Sequence, residues 1–277
     1  MTQSFLTSMA KESQQRFQDA SNSLTERDLL SFCEDMDVLE SINLPRDDFH
    51  IIAEIKKQSP STGNLALENF DLQKQAMSYI EGGSSLLSVL TEPSKFLGEL
   101  EDLELVASLE SNIPVMRKDF LVHPYQISEA RYYGAAGVLV IVAILDEREL
   151  QAMIQRALDH GMFVLLETFT KQELHLATNM LNRFADKVSQ LLIGVNCRDL
   201  NTLQVDFSNF TKLAADLPNT AMCVAESGVH DLNDLQRIIE MGFGSVLIGS
   251  ALMQSDNPRT TLNEMKEFAR KTMAARQ

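Results

Sequence analysis

Residues 137–169, GVLVIVAILDERELQAMIQRALDHGMFVLLETF, read as strand, helix, strand. GVLVIVA and FVLLETF are short apolar runs of strand length. Between them Leu150, Ile154 and Leu158 recur at helical spacing, and Gly161 follows as a stop. Two such strands joined by one helix make a right-handed parallel crossover.

The same form recurs along the chain. Working outward, the strand-like runs are HIIAEIK from His50, SLLSVLT from Ser85, PVMRKDF from Pro114, LLIGVNC from Leu191, AMCVAES from Ala221 and SVLIGS from Ser245. Helical stretches such as DLNDLQRIIEMGFG from Asp231 lie between them. A repeat of roughly 25 to 30 residues, continued to eight units, is what closes a (β/α)8 TIM barrel. An open doubly wound sheet is the main rival. It is disfavoured because no G-x-G-x-x-G follows the first run and no break in composition marks a second domain. Residues 1–48 read as a helical extension packed on the barrel, with apolar positions at Leu24, Leu29, Leu30, Phe32, Met36 and Leu39. Residues 49–277 form the barrel as a single domain, and no second barrel is expected to follow.

Composition narrows the partners. A net charge of −15 repels a phosphate backbone, so nucleic acid is not expected, and an anionic ligand must be drawn by a few local cations. No apolar run is long enough to cross a bilayer, and the N-terminus lacks the pattern of a secretory signal. The cytoplasm is the expected compartment, and a monomer or weak homo-oligomer the expected state. Cys33, Cys197 and Cys223 lack metal-ligand spacing and read as reduced and structural. His50, His123, His160, His175 and His230 show no metal spacing either, and none is expected in the site.

Active sites of such barrels sit at the carboxyl ends of the strands. Alternation along each strand tells which residues point inward together. It groups Ile52 with Glu54 and Lys56, Met116 with Lys118 and Phe120, Leu165 with Glu167, Gly194 with Asn196 and Arg198, and Val224 with Glu226. The resulting cluster is Glu54, Glu167, Glu226, Lys56, Lys118, Asn196 and Arg198. Each alone reads as a solvated charge at a loop start, but all seven in register point to acid–base chemistry. Lys57, Arg117 and Asp119, on the opposite parity, read as helix-facing or rim charges. Gly228 in the ESG stretch at 226–228, Gly249 and Ser250 after the eighth run, and Ser59 on the first loop offer backbone N–H groups and hydroxyls for a phosphate.

These blocks, IIAEIKKQSPSTG, SVLTEPSKFLGELEDL, PVMRKDFLVHPYQISEARYYGA, IGVNCRDLNTLQVD, VAESGV and VLIGSALM, resemble those of the indole-3-glycerol-phosphate synthase family over about 51–258. The resemblance implies ring closure, decarboxylation and dehydration of 1-(2-carboxyphenylamino)-1-deoxyribulose 5-phosphate, a step of tryptophan biosynthesis, without cofactor or metal. It implies Lys118 as the general acid of ring closure. Glu167 and Glu54 are implied as carboxylates that move protons and stabilise a cationic intermediate, and Lys56 as the partner of Glu54 near the substrate's anionic groups. A lysine lowered by neighbouring cations is the expected form of the acid. Asn196, Arg198, Glu226 and Ser227 are implied to orient the substrate; Ser59, Gly228, Gly249 and Ser250 to hold its phosphate. Phe96, Phe120, Leu139, Leu200 and Leu247, which otherwise read as core, are implied as walls around the aryl ring. Thr62 stands where relatives commonly carry a basic residue, and Asn64 where an apolar one is usual, so a weaker phosphate grip is expected.

Two other readings weigh less. Phosphoribosylanthranilate isomerase relies on a cysteine at the end of its first strand, where this chain has Glu54-Ile55-Lys56. A catalytically silent or specialised paralogue that merely binds a phosphorylated ligand would be expected to lose its acids and bases, and none is lost.

Overall fold

The computed structural model describes residues 4–275 except 62, 67–69 and 201; Thr62 therefore lies outside the described residues. Eight parallel strands close into a barrel. They are β1 (His50–Ile55), β2 (Leu86–Leu90), β3 (Val115–Lys118), β4 (Gly137–Ile141), β5 (Phe163–Thr168), β6 (Leu191–Asn196), β7 (Met222–Glu226) and β8 (Ser245–Ile248). Each pairs with its neighbours in sequence, and β1 closes on β8 with Ile52 opposite Leu247. The fold is a (β/α)8 TIM barrel.

Strand alternation divides the core in two. Ile52, Leu86, Met116, Leu139, Leu165, Leu192, Val224 and Leu247 pack inside the barrel. Ile51, Ala53, Leu87, Val138, Val140, Val164, Leu166, Ile193 and Val246 face the surrounding helices. Burying one such aliphatic side chain contributes about 1.5–3 kcal/mol, and both faces of these strands are buried, as in all-parallel sheets.

The crossover helix Glu147–Asp159 shows how local sequence sets an element. Asp146 caps it by accepting from the backbone N–H groups of Arg148 and Glu149, and Glu149 returns the contact to Asp146. Leu150, Met153, Ile154, Ala157 and Leu158 form its buried face, and Gly161 follows at φ 72°, a left-handed turn that favours glycine.

Before the barrel come two helices, α1 (Phe5–Ser23) and α2 (Glu26–Glu34), separated at Thr25, whose hydroxyl accepts from Asp28 N–H to start the second. Of the apolar positions read from the sequence, Leu29 is buried, Phe32 is 47% exposed, and Met36 and Leu39 lie beyond α2. The extension is tied to the helix Pro124–Tyr132: Tyr125 Oη donates to Leu24 O at 2.9 Å, and Gln126 Nε2 to Ser13 Oγ at 2.9 Å. The three cysteines are buried and free. No helix among the described residues is long and apolar enough to cross a membrane.

Candidate active site

At the carboxyl ends of the strands, Lys118 at the end of β3 is surrounded by carboxylates. Its Nζ lies 3.0 Å from Glu226 Oε2, 3.4 Å from Glu54 Oε2 and 3.8 Å from Glu167 Oε2. Lys56, just beyond β1, donates to Glu54 Oε1 at 2.6 Å. Asn196 on β6 donates from Nδ2 to Glu167 Oε1 at 3.0 Å and accepts Arg198 N–H at 2.9 Å. Glu54, Glu167, Asn196 and Glu226 are all buried.

So dense a set of charges needs space inside the barrel, and two glycines supply it. A Cβ on Gly194 would come within 2.1 Å of Glu226 Oε1, and one on Gly249 within 2.2 Å of Glu54 Oε1 and 2.8 Å of Lys56 Nζ. Gly249, read from the sequence as a phosphate contact, makes room for the Glu54–Lys56 pair.

The charge balance differs from the sequence expectation in one respect. Lys118 has carboxylates, not cations, as its neighbours. Burial would push its ammonium down, but Glu226, Glu54 and Glu167 outweigh burial and hold its pKa above the ordinary lysine value. Arg198 is turned aside, donating from Nη1 to Leu203 O at 3.1 Å, and Lys56 is engaged by Glu54. Glu54 is held below the ordinary carboxylate range because Lys56 and Lys118 overcome its burial.

Glu226 goes the other way. Burial, added to by the charge of Glu167, pushes it up to about 8 despite Lys118. Because the folded protein keeps this proton at pH values where the unfolded carboxyl has lost it, stability is expected to fall as pH rises from near 4.5 to about 8. The slope contributed is at most about 1.4 kcal/mol per pH unit. Urea unfolding from pH 5 to 9 checks it: Glu226→Gln should remove this component, and an unchanged pH slope in that variant would refute it.

Above the charges opens a cavity at the mouth of the barrel. Lys118, Glu167, Glu54, Lys56, Asn196, Arg198 and Ser227 line it, as do Phe96, Phe120, Leu139, Leu200 and Leu247. Ser59, Gly228, Gly249 and Ser250 line it from the loops after β1, β7 and β8. Glu226 is the exception, fully buried beneath Lys118. Ser227 and Gly228 follow β7 at φ 67° and 72°, so the chain turns through the left-handed region at this rim. The first loop carries a short antiparallel pairing of Gln58–Ser59 with Gly63–Asn64, and Ser59 Oγ lies 3.0 Å from Ser61 Oγ.

Several lining residues escaped the sequence reading. Phe5 enters from α1, 6.1 Å from the Phe120 ring, and no local pattern announces a contact so distant in the chain. His230, read as outside the site, lines the cavity from the loop after β7, beyond the left-handed turn at Ser227 and Gly228 where strand alternation no longer applies. Lys57 is helix-facing, paired at 2.7 Å with Asp102 on the helix Leu100–Ala107. Arg117 is helix-facing, paired with Glu129 on the helix Pro124–Tyr132, whereas Asp119 borders the cavity; both are buried, and they pair with each other at 3.2 Å.

Comparison with known proteins bears on the fold and the family. The barrel superposes on 3-hexulose-6-phosphate synthase from Salmonella typhimurium with a TM-score of 0.60 at 11% identity, covering 80% of this chain and 99% of that one. It superposes on thiamine phosphate pyrophosphorylase from Pyrococcus furiosus with a TM-score of 0.58 at 13% identity, covering 82% and 98%. At such identity these matches speak for the fold alone. Closer in sequence are the indole-3-glycerol phosphate synthases of Mycobacterium ulcerans, 42% identical over 83% of this chain and 80% of the relative, and of Mycobacterium leprae, 43% identical over 78% and 75%. The model of the family described as indole-3-glycerol phosphate synthase matches residues 5–265. With the relatives at this identity and the family model spanning nearly the whole chain, the protein belongs to the indole-3-glycerol phosphate synthase family.

Proposed function

We propose that this chain converts 1-(2-carboxyphenylamino)-1-deoxyribulose 5-phosphate to indole-3-glycerol phosphate, CO2 and water in the cytoplasm, as a carbon–carbon lyase needing no cofactor. The observation that carries the reading is the Lys118 ammonium, held 3.0–3.8 Å from three glutamate side chains at the floor of an aromatic-walled cavity.

In this reading the aryl ring lies against Phe96, Phe120, Leu139, Leu200 and Leu247, and the phosphate against Ser59, Gly228, Gly249 and Ser250. Lys118 gives a proton to the substrate carbonyl as the aryl carbon attacks it. An ammonium with a raised pKa is a reluctant acid. Here, however, the positive charge that leaves Lys118 reappears on the substrate as an iminium, between the same carboxylates. Glu54 and Glu167 therefore keep a cationic partner through ring closure, and such preorganised groups are worth more in a water-poor site than in solution. Loss of CO2 then neutralises the ring system. Glu167, oriented by Asn196, and the Glu54–Lys56 pair supply the proton transfers that expel water. Arg198 and Ser227 border the substrate, and Glu226 supports Lys118 from below.

Adding the carboxyphenylamino-deoxyribulose phosphate to the folded protein should give rising indole fluorescence. Silence would sink this function and leave a barrel that binds a phosphorylated ligand.

A further inference from the structure

A second group of buried charges lies behind the aromatic wall of the cavity and takes no part in the chemistry above. Arg16, on α1, donates from Nη1 to Glu92 Oε1 at 3.2 Å and from Nη2 to Asp119 Oδ1 at 2.5 Å. Both carboxylate side chains are wholly shielded from solvent, while the arginine is 26% exposed. Burial would raise Asp119, but Arg117 and Arg16 hold it ionised, below the usual carboxylate range.

Each carboxylate also grips the backbone of one aromatic wall residue. Glu92 caps the short helix Pro93–Phe96, accepting from the N–H of Ser94 at 2.9 Å, Lys95 at 2.7 Å and Phe96 at 3.2 Å. Asp119 Oδ1 accepts Phe120 N–H at 2.8 Å. The Phe96 and Phe120 rings stand 6.2 Å apart, and Phe5, carried by the same α1 as Arg16, meets Phe120 edge-on. One guanidinium fork thus ties together the anchors of all three rings. Its two carboxylates follow β2 and β3, whereas the candidate phosphate contacts follow β1, β7 and β8.

We propose that Arg16 is a positioning residue for the aryl half of the substrate, holding Phe5, Phe96 and Phe120 in one rigid wall; this rests on the functional reading above. The forked geometry is what lets one cation serve two acids, and a lysine ammonium, a single point of charge, serves it less well. Without the fork Glu92 loses its cationic partner, and the wall is free to shift before substrate arrives.

Steady-state kinetics of wild type, Arg16→Met and Arg16→Lys test this. Arg16→Met should raise KM by roughly tenfold or more with kcat held within about threefold, the pattern of lost uniform binding. Arg16→Lys should recover part of the KM. Should Arg16→Met fail to fold, Glu92→Gln cuts the same link from its other end and should raise KM in the same sense. Where both fold, the double variant should raise KM by less than the product of the two single effects, since both singles remove the Arg16–Glu92 contact. An unmoved KM in these variants overturns the proposal, as does a fall in kcat equal to the rise in KM, which would mark general damage. Absence of wild-type turnover would instead overturn the functional reading, and this inference with it.

Discussion

Lys118→Ala is expected to abolish turnover, with a loss in kcat of at least about 10² to 10⁴, the usual worth of one general acid. Two losses coincide in this variant. The proton donor disappears, and Glu54, Glu167 and Glu226 lose the ammonium they share at 3.0–3.8 Å. Glu54 keeps Lys56, so the imbalance falls on Glu167 and Glu226, and Glu226 is already pushed towards its neutral form. The cluster can adapt by holding its proton more tightly, so the variant should fold while losing activity. Lys118→Arg separates the two roles: it restores a positive charge but cannot give up a proton near neutral pH. It should be more stable than Lys118→Ala and equally unable to close the ring. Turnover and urea unfolding of both variants check this. A kcat near wild type in Lys118→Ala would remove Lys118 from the chemistry.

Much of this site was legible because a parallel barrel imposes period two on both faces of every strand. Once Ile52, Met116, Leu165 and Val224 are placed inside, the residues two further on, Glu54, Lys118, Glu167 and Glu226, must follow them towards the mouth. Alternation says nothing about distance, and this is where the sequence reading parts from the structure. Three acids and three cations share the inward faces, yet Lys56 is taken by Glu54 and Arg198 by a backbone carbonyl, so Lys118 meets carboxylates alone. Phe5 was illegible for another reason. A helix pattern fixes which residues share a face, but not which of the barrel's loops that face will cover.

Arg117 shows the same limit most sharply, and Arg117→Ala should be among the most destabilising substitutions in the chain, at about 3–5 kcal/mol. Its parity correctly turns it away from the barrel axis; its burial depended on partners from other segments. Nε donates to Thr91 Oγ1 at 3.0 Å, Nη1 to Gln126 O at 3.1 Å and Glu129 Oε2 at 2.8 Å, and Nη2 to Asp119 Oδ2 at 3.2 Å. Glu129 lies on the helix Pro124–Tyr132, so a single side chain joins β3 to the β2 loop and to the helix on which α1 and α2 dock. Truncation strands Glu129 without this partner and leaves Asp119 with Arg16. Urea unfolding should show a lower midpoint at unchanged slope, and a loss under about 1 kcal/mol would refute the assignment. Arg117→Met combined with Glu129→Gln should recover part of the loss. The penalty comes chiefly from leaving a buried charge unpaired, and removing both ends of the pair removes that penalty.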